Sequence, residues 1–222
     1  MPFQGPATVE ALKQSVVFGN IAGLKALAEV SITNQGENKG SLSGVFAYKA
    51  PDKMRVSLFG PFGLTMSDIV ISNGLFQLSV PSKKALYEWK LPEMAFSGLL
   101  ISRLRYEMET DGDLYALVAY MPDGLNSEVV ARYFFDRTYL LNRAIFLYKN
   151  GTEVMGAEFS DFNGRVPGRM RLTLSNGIAL DIALQEPEFA AGIPDEYFSS
   201  IEHAGKELKT FQEIFKDLAP LR

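Results

Sequence analysis

The sequence predicts a mainly β protein of the α+β class, built on a long, curled antiparallel sheet in one domain. Three observations carry this. Between about residues 24 and 185 apolar and polar residues alternate with a period of two through most stretches. Short turns rich in Gly, Asn, Asp and Pro separate those stretches, and turns of that length join antiparallel neighbours. Helical spacing is confined to three stretches, near 8–18, 92–108 and 199–218. With 222 residues, 47% of them apolar, the chain can bury a sizeable core or enclose a cavity.

The elements follow in order. Residues 8 to 18 read as a short helix with Thr8 as N-cap, although Ala11 stands where a capping box would place Glu. Leu12 and Val16 share one face, and Gly19 ends it. Ala26, Ala28, Val30 and Ile32 then alternate with Leu27, Glu29 and Ser31. After the turn at 34–40, Gly44, Phe46 and Tyr48 alternate with Ser43, Val45 and Ala47. Past Pro51-Asp52, Met54, Val56 and Leu58 oppose Arg55 and Ser57, a half-buried strand. Gly60-Pro61-Phe62-Gly63 breaks it. A strand through Met66 to Ile71, the Ser72-Asn73-Gly74 turn, and strands at 75–80 and 84–89 complete a meander.

In 92–108, Pro92 can open a helix, and Phe96, Leu99, Leu100, Arg103 and Leu104 have helical spacing. Strand signals return at 114–121, 128–135, 139–148 and 152–160. In the last two strands Met170, Leu172 and Leu174 oppose Arg169, Arg171 and Thr173, and Ile178, Leu180, Ile182 and Leu184 oppose Asp181 and Gln185. The tail, 199–218, carries an amphipathic stripe of Leu208, Phe211, Phe215 and Leu218 and reads as a C-terminal helical extension of the single domain 1–222. Ten or so strands result, too many for a few helices to cover. The sheet must close, fold on itself or curl around an apolar space that is either packed or a ligand cavity.

Composition excludes several functions. A net charge of −4 argues against a nucleic-acid partner. Membrane contact would have to be apolar rather than polybasic. The absence of cysteine removes disulfides, Cys-ligated metals and thiol nucleophiles, and suits an oxidising compartment. One histidine, His203, in a polar stretch, excludes a His-His metal site and makes a Ser-His-Asp triad implausible. No metal and no cofactor is expected. Glu107 and Glu109 read as a solvated face, and Asp111-Gly112-Asp113 as a turn. No phosphate loop or dinucleotide fingerprint occurs, and no catalytic constellation is expected. No apolar run is long enough to span a bilayer as a helix, and Met1-Pro2-Phe3-Gln4-Gly5-Pro6 lacks the basic and apolar regions of a signal peptide.

The segment Phe59-Gly60-Pro61-Phe62-Gly63-Leu64 is the sharpest feature. Its glycines and proline fix a loop with Phe62 between glycines. Such a tip either inserts into a partner or membrane, or folds back onto the sheet.

Gly44-Val45-Phe46-Ala47-Tyr48, Lys53-Met54-Arg55-Val56-Ser57-Leu58 and Gly60-Pro61-Phe62-Gly63 together resemble the LolA/LolB superfamily of outer-membrane lipoprotein carriers and receptors, LolB more closely. There an aromatic-rich strand precedes a strand that ends in a Pro-Leu-Gly loop. Val166-Pro167-Gly168-Arg169-Met170-Arg171-Leu172-Thr173-Leu174 and Ile178-Ala179-Leu180-Asp181-Ile182 resemble the closing hairpin of that family. The resemblance implies an incomplete antiparallel β-barrel with helices covering its mouth. It implies a cavity for the acyl chains of lipoproteins or a related lipid, lined by Val30, Phe46, Tyr48, Met54, Val56, Leu58, Met170, Leu172, Leu180 and Ile182. Pro61, Phe62 and Leu64 would form the membrane-contact loop, with Phe62 in place of the family's Leu. The implied partners are acylated lipoproteins, the outer-membrane surface and a periplasmic carrier protein. The implied location is the periplasm, with anchoring to the outer membrane through a lipid-bearing Cys that this sequence lacks. Two other readings stand beside it: an envelope scaffold or lipid-sensing regulator with a packed interior, and an enzyme using inward polar groups. The C-terminal extension would cover the mouth or dock on the outside.

Overall fold

A computed structural model describes residues 6–16, 18, 21–90, 104–121, 128–147, 151–164, 166–175, 177–189 and 192–210. These residues contain one α-helix, α1 (Val9–Ser15), and fourteen strands in one sheet. The strands are β1 (Gly23–Asn34), β2 (Glu37–Lys49), β3 (Lys53–Phe59), β4 (Thr65–Ser72), β5 (Leu75–Val80), β6 (Ala85–Lys90) and β7 (Arg105–Asp111). They continue with β8 (Leu114–Tyr120), β9 (Val129–Phe135), β10 (Leu141–Leu147), β11 (Glu153–Asn163), β12 (Val166–Leu174), β13 (Ile178–Phe189) and β14 (Glu207–Thr210). Their spatial order is β14-β6-β5-β4-β3-β2-β1-β13-β12-β11-β10-β9-β8-β7. Sequence neighbours pair as antiparallel hairpins from β1 to β6 and from β7 to β13, and β1 pairs with β13, also antiparallel. The strands β6 and β7, consecutive in the chain, do not pair with each other, and β14 pairs with β6 in parallel. The two ends of the sheet, β14 and β7, do not pair with each other, so the barrel is incomplete.

Register decides which residues share a face, because side chains alternate along each strand. On the inner face Leu24, Tyr48, Met54, Ile71 and Phe76 form one cross-strand row, and Ala26, Phe46, Val56, Ile69, Leu78 and Tyr87 form the next. Residues from β1–β3 and from β8–β13 belong to a single core, although seven strands separate β3 from β8 in pairing order. Only a curled sheet brings them together. Between the walls lies α1, against β7 and β8, with Leu12 and Val16 buried. Thr8 caps it as expected, accepting from the Ala11 amide at 3.1 Å.

Two expected helices require correction. The stretch 92–108 is strand from Arg105 onward, because Tyr106 and Met108 alternate with Glu107 and Glu109 and pair with Ala119 and Leu117 of β8. Residues 91–103 lie outside the described residues. The expected tail helix at 199–218 is likewise overturned over the part described: residues 199–206 contain no helix, and 207–210 are β14. The edge of β6 offers unpaired backbone groups that this segment takes up, and Gly205 at φ +70° breaks any helical course into it. Residues 211–218 lie outside the described residues.

The segment 193–206 is instead a strap across the outer face. Ile193 and Phe198 are buried against Ala47 of β2. Lys49 donates to the Ile193 carbonyl at 2.8 Å and pairs with Asp195 at 2.6 Å, and Lys53 pairs with Asp195 at 3.0 Å. Arg55 donates to the Tyr197 carbonyl while pairing with Asp68, and Lys25 and Arg55 both lie over the Tyr197 ring. Further along, Gln77 exchanges hydrogen bonds with the backbone of Ile201, and Glu88 meets His203 at 2.8 Å. The strap thus crosses from β2 to β6 before turning into β14.

The lysine pair holds the Asp195 carboxyl below its ordinary value. A depressed folded-state pKa stabilises at pH values above the unfolded pKa of about 3.9 and is lost as pH falls through the folded value. Acidification below about pH 4 should therefore loosen the start of the strap. The Tyr197 and Ser199 amides, bonded to the Pro194 and Glu196 carbonyls, should then lose protection severalfold in hydrogen-exchange NMR, relative to the intrinsic rate at each pH. Protection unchanged well below that pH would remove Asp195 as an anchor.

Candidate apolar binding face and projecting tip

The β3–β4 connection projects Phe62 into solvent. Gly60 N–H donates to the Leu64 carbonyl at 2.9 Å and Gly63 N–H to the Gly60 carbonyl at 3.2 Å, closing a tight turn. Within it Phe62 sits at φ +62°, ψ +19°, in the left-handed region that costs an L-residue roughly 1–2 kcal/mol. Its side chain is fully exposed, at 101%, and Leu64 is 66% and Met66 37% exposed. A Cβ on Gly60 would meet Met66 Cγ at 2.7 Å, so Gly60 gives Met66 its place at the base of the tip. Of the two courses open to Phe62 in the sequence, the outward one is taken. Met66 is an apolar member of the tip that alternation alone did not single out.

All of the expected lining residues lie on the inner face, on the contiguous strands β12, β13, β1, β2 and β3. Val30, Phe46, Tyr48, Val56, Leu58 and Met170 are buried, and Met54, Leu172, Leu180 and Ile182 are half-buried. Leu172 pairs with Leu180 and that with Ile32, while Met170, Ile182, Val30 and Leu42 make the next row. The half-buried members Ile32, Leu42, Leu172, Leu180 and Ile182 gather at one end of this face. It is the end where β3 runs into the Phe62 tip, since Phe59 pairs with Ser43, one residue from Leu42.

Phe18 was missed as a site residue by the sequence reading. It follows α1 at φ +64° and lays its ring on Tyr48 at 4.9 Å and near Phe46 at 5.7 Å. The signal was a lone aromatic beside Gly19, which alternation could not place. Polar groups on the inner face are few. The Tyr48 hydroxyl donates to the Pro51 carbonyl at 3.3 Å, and burial, with Asp52 nearby, pushes its pKa up to about 12. Tyr133, fully buried, bonds Tyr106, and burial raises its pKa well above the usual phenol value. Both phenols stay protonated at neutral pH.

Glu107 and Glu109 are exposed on β7 and pair with Arg105 and Arg132, as a solvated face should. His203 is exposed, with Glu88 as its partner. Among the described residues no group of three or more His, Asp or Glu side chains is placed to hold a metal ion. No helix among them is long and apolar enough to cross a membrane.

These features define a class of protein: an unclosed antiparallel half-barrel with an apolar inner face, an inserted helix and a projecting apolar hairpin. No family model and no curated protein matches the sequence. Solved structures do match the fold. A LolA superfamily protein from Nitrosomonas europaea aligns with a TM-score of 0.63 at 10% identity, over 88% of this chain and 99% of its own. A putative outer membrane lipoprotein-sorting protein domain from Vibrio parahaemolyticus aligns with a TM-score of 0.62 at 14% identity, over 86% of this chain and 94% of its own. A DUF1329 family protein from Desulfovibrio piger gives 0.64 at 13% identity, over the same shares. The fold is therefore the incomplete LolA-like barrel that the sequence resemblance implied.

Proposed function

We infer that this protein binds the acyl chains of lipoproteins, or a related lipid, without catalysis, and takes part in placing lipoproteins in the outer membrane. The observation that carries this reading is the meeting of two apolar features at one end of the sheet. The inner face opens there through Ile32, Leu42, Leu172, Leu180 and Ile182, and the Phe62 tip projects from the same end. Burial is worth about 0.8 kcal/mol per methylene, so a long acyl chain is held without polar contacts. Release then requires a competing apolar phase, which the tip brings to the mouth. The tip favours the LolB-like role over that of a free carrier. The same reading sets the protein in the periplasm at the outer membrane, anchored as a lipoprotein in its full-length form and receiving cargo from a periplasmic carrier. The lipoprotein-sorting fold neighbour supports this setting.

The test is displacement of an environment-sensitive hydrophobic dye by a triacylated lipopeptide and by the same peptide without acyl chains. Displacement by the acylated form alone is the expected result. Displacement by neither, or by both equally, would end the acyl-binding reading.

A second reading is favoured by the packing of Leu12, Val16 and Phe18 into the core: a scaffold or lipid-sensing regulator with a solid interior. Met54→Trp separates the two. If the inner face takes ligand, the indole fills that space, leaving the fold intact and weakening lipopeptide binding. In a solid interior it overpacks, and stability falls by roughly 1–3 kcal/mol in urea unfolding.

A further inference from the structure

We propose that Met66, at the base of the Phe62 tip, is an oxidation site: a hydroperoxide converts its thioether to the sulfoxide, and the tip then loses its hold on a bilayer. The consequence for the tip rests on the reading that Phe62 enters a bilayer. Two features bring the Met66 side chain to this place. Leu58 pairs with Ser67 and Phe59 with Thr65, so Met66 is the extra residue where the register of β3 and β4 shifts. A bulge of this kind re-aims the side chain that it carries. Here the side chain turns onto Gly60: a Cβ on Gly60 would stand 2.7 Å from Met66 Cγ and 2.9 Å from Sδ, and would push the thioether away. The sulfur therefore packs on the main chain at the root of the turn, where the Gly60 amide is bonded to the Leu64 carbonyl.

The Met66 side chain keeps 37% of its residue's surface open, so a small oxidant in solution reaches it. The chain has no cysteine, which leaves methionine to carry its reversible sulfur oxidation. In that step a sulfur lone pair attacks the outer peroxide oxygen, the S–O bond forms as the O–O bond breaks, and sulfur gives up two electrons. The proton of the transferred hydroxyl passes to the leaving oxygen, which departs as water when the oxidant is hydrogen peroxide. The product is polar where the thioether was apolar. Its oxygen accepts hydrogen bonds that water supplies and acyl chains do not, so carrying it into a bilayer is costly. Met108 and Met121 have similar exposure but lie on β7 and after β8, outside the tip, and serve as internal controls.

The experiment treats the full chain with hydrogen peroxide to graded extents, maps the sulfoxides by peptide mass spectrometry and sediments the protein with phosphatidylcholine vesicles. Met66, Met108 and Met121 should oxidise before the buried Met170. Vesicle binding should fall about fivefold as Met66 converts, and methionine sulfoxide reductases should restore it. Met66→Leu, which keeps the apolar bulk without sulfur, should bind like the untreated parent and keep that binding after peroxide. Met66→Gln should bind like the oxidised parent. A Met66 that stays reduced while Met108 and Met121 oxidise overturns the proposal, as does a Met66→Leu variant that loses as much binding as the parent. The two failures are distinct. If Phe62→Ser sediments like the untreated parent, bilayer entry fails and the consequence of oxidation goes with it. A parent that outbinds Phe62→Ser but is indifferent to oxidation at Met66 overturns this proposal alone.

Discussion

A Phe62→Glu variant is expected to keep the fold and to lose roughly ten- to hundredfold in the rate of lipopeptide transfer to liposomes. The lower figure follows from about 1.5 kcal/mol, and the upper from about 3 kcal/mol, for burying a phenylalanine side chain in an apolar phase. Glutamate adds a desolvation cost at the same point. Stability should hardly move, because the ring is fully exposed and contributes no burial to the folded state. Both residues occupy the left-handed region at the same cost, so backbone strain cancels between parent and variant. Thermal unfolding and dye displacement serve as the controls, and both should match the parent. Transfer at the parental rate would leave the tip without a role in delivery, and a large fall in melting temperature would make the residue structural.

Gly44→Val should have the largest effect on stability of any single change on the inner face. Gly44 pairs across to Leu58 of β3 and Ala28 of β1. A Cβ at this position would run into the Ser57 carbonyl oxygen, and would come within 3.0 Å of both Leu58 Cα and Leu58 Cδ2. Two of those atoms are main chain, so relief requires β3 to draw away from β2 rather than a side chain to swing aside. Alanine in place of a strand glycine ordinarily gains roughly 0.5–1 kcal/mol. Here overpacking costs roughly 1–3 kcal/mol and wins. Gly44→Ala should thus be destabilised in urea unfolding, and Gly44→Val more so. A neutral or stabilised Gly44→Ala would mean that β3 yields easily and that the close approach is dispensable.

The same glycine shows how far the sequence could be read. Alternation places Gly44 in phase with Phe46 and Tyr48, on the face that proves to be the inner one. It gives no hint that β3 lies so close that only a glycine fits. Met54, Val56 and Leu58 were legible for the same reason as Phe46: a half-buried strand must put its apolar residues on one side. The Phe62 turn was legible as a turn because Gly60, Pro61 and Gly63 leave few conformations open. Whether its ring pointed out or back was not, since both courses suit the same local backbone. Over residues 199–210 the expected helix is not formed. The stripe through Leu208, Phe211 and Phe215 fits a helical period, but the open edge of β6 and the anchoring of Ile193, Tyr197 and Ile201 on the outer face are long-range partners.

By itself, then, the sequence determined the antiparallel hairpins, the inward face of strands such as β1–β3, β12 and β13, the position of the tip and the exclusion of thiol and His-cluster chemistry. These follow from local rules: side-chain alternation, turn stereochemistry and composition act within a few residues of one another. The tertiary structure decided what is set between strands distant in the chain: the curl that joins β1–β3 to β8–β12 around α1, and the strap bound to the outer face. It also placed the Phe62 tip at the half-buried end of the inner face. The physical reason is that sheet order and curvature depend on which edges find partners and which apolar faces meet. Those are long-range pairings, and a period of two is silent about them.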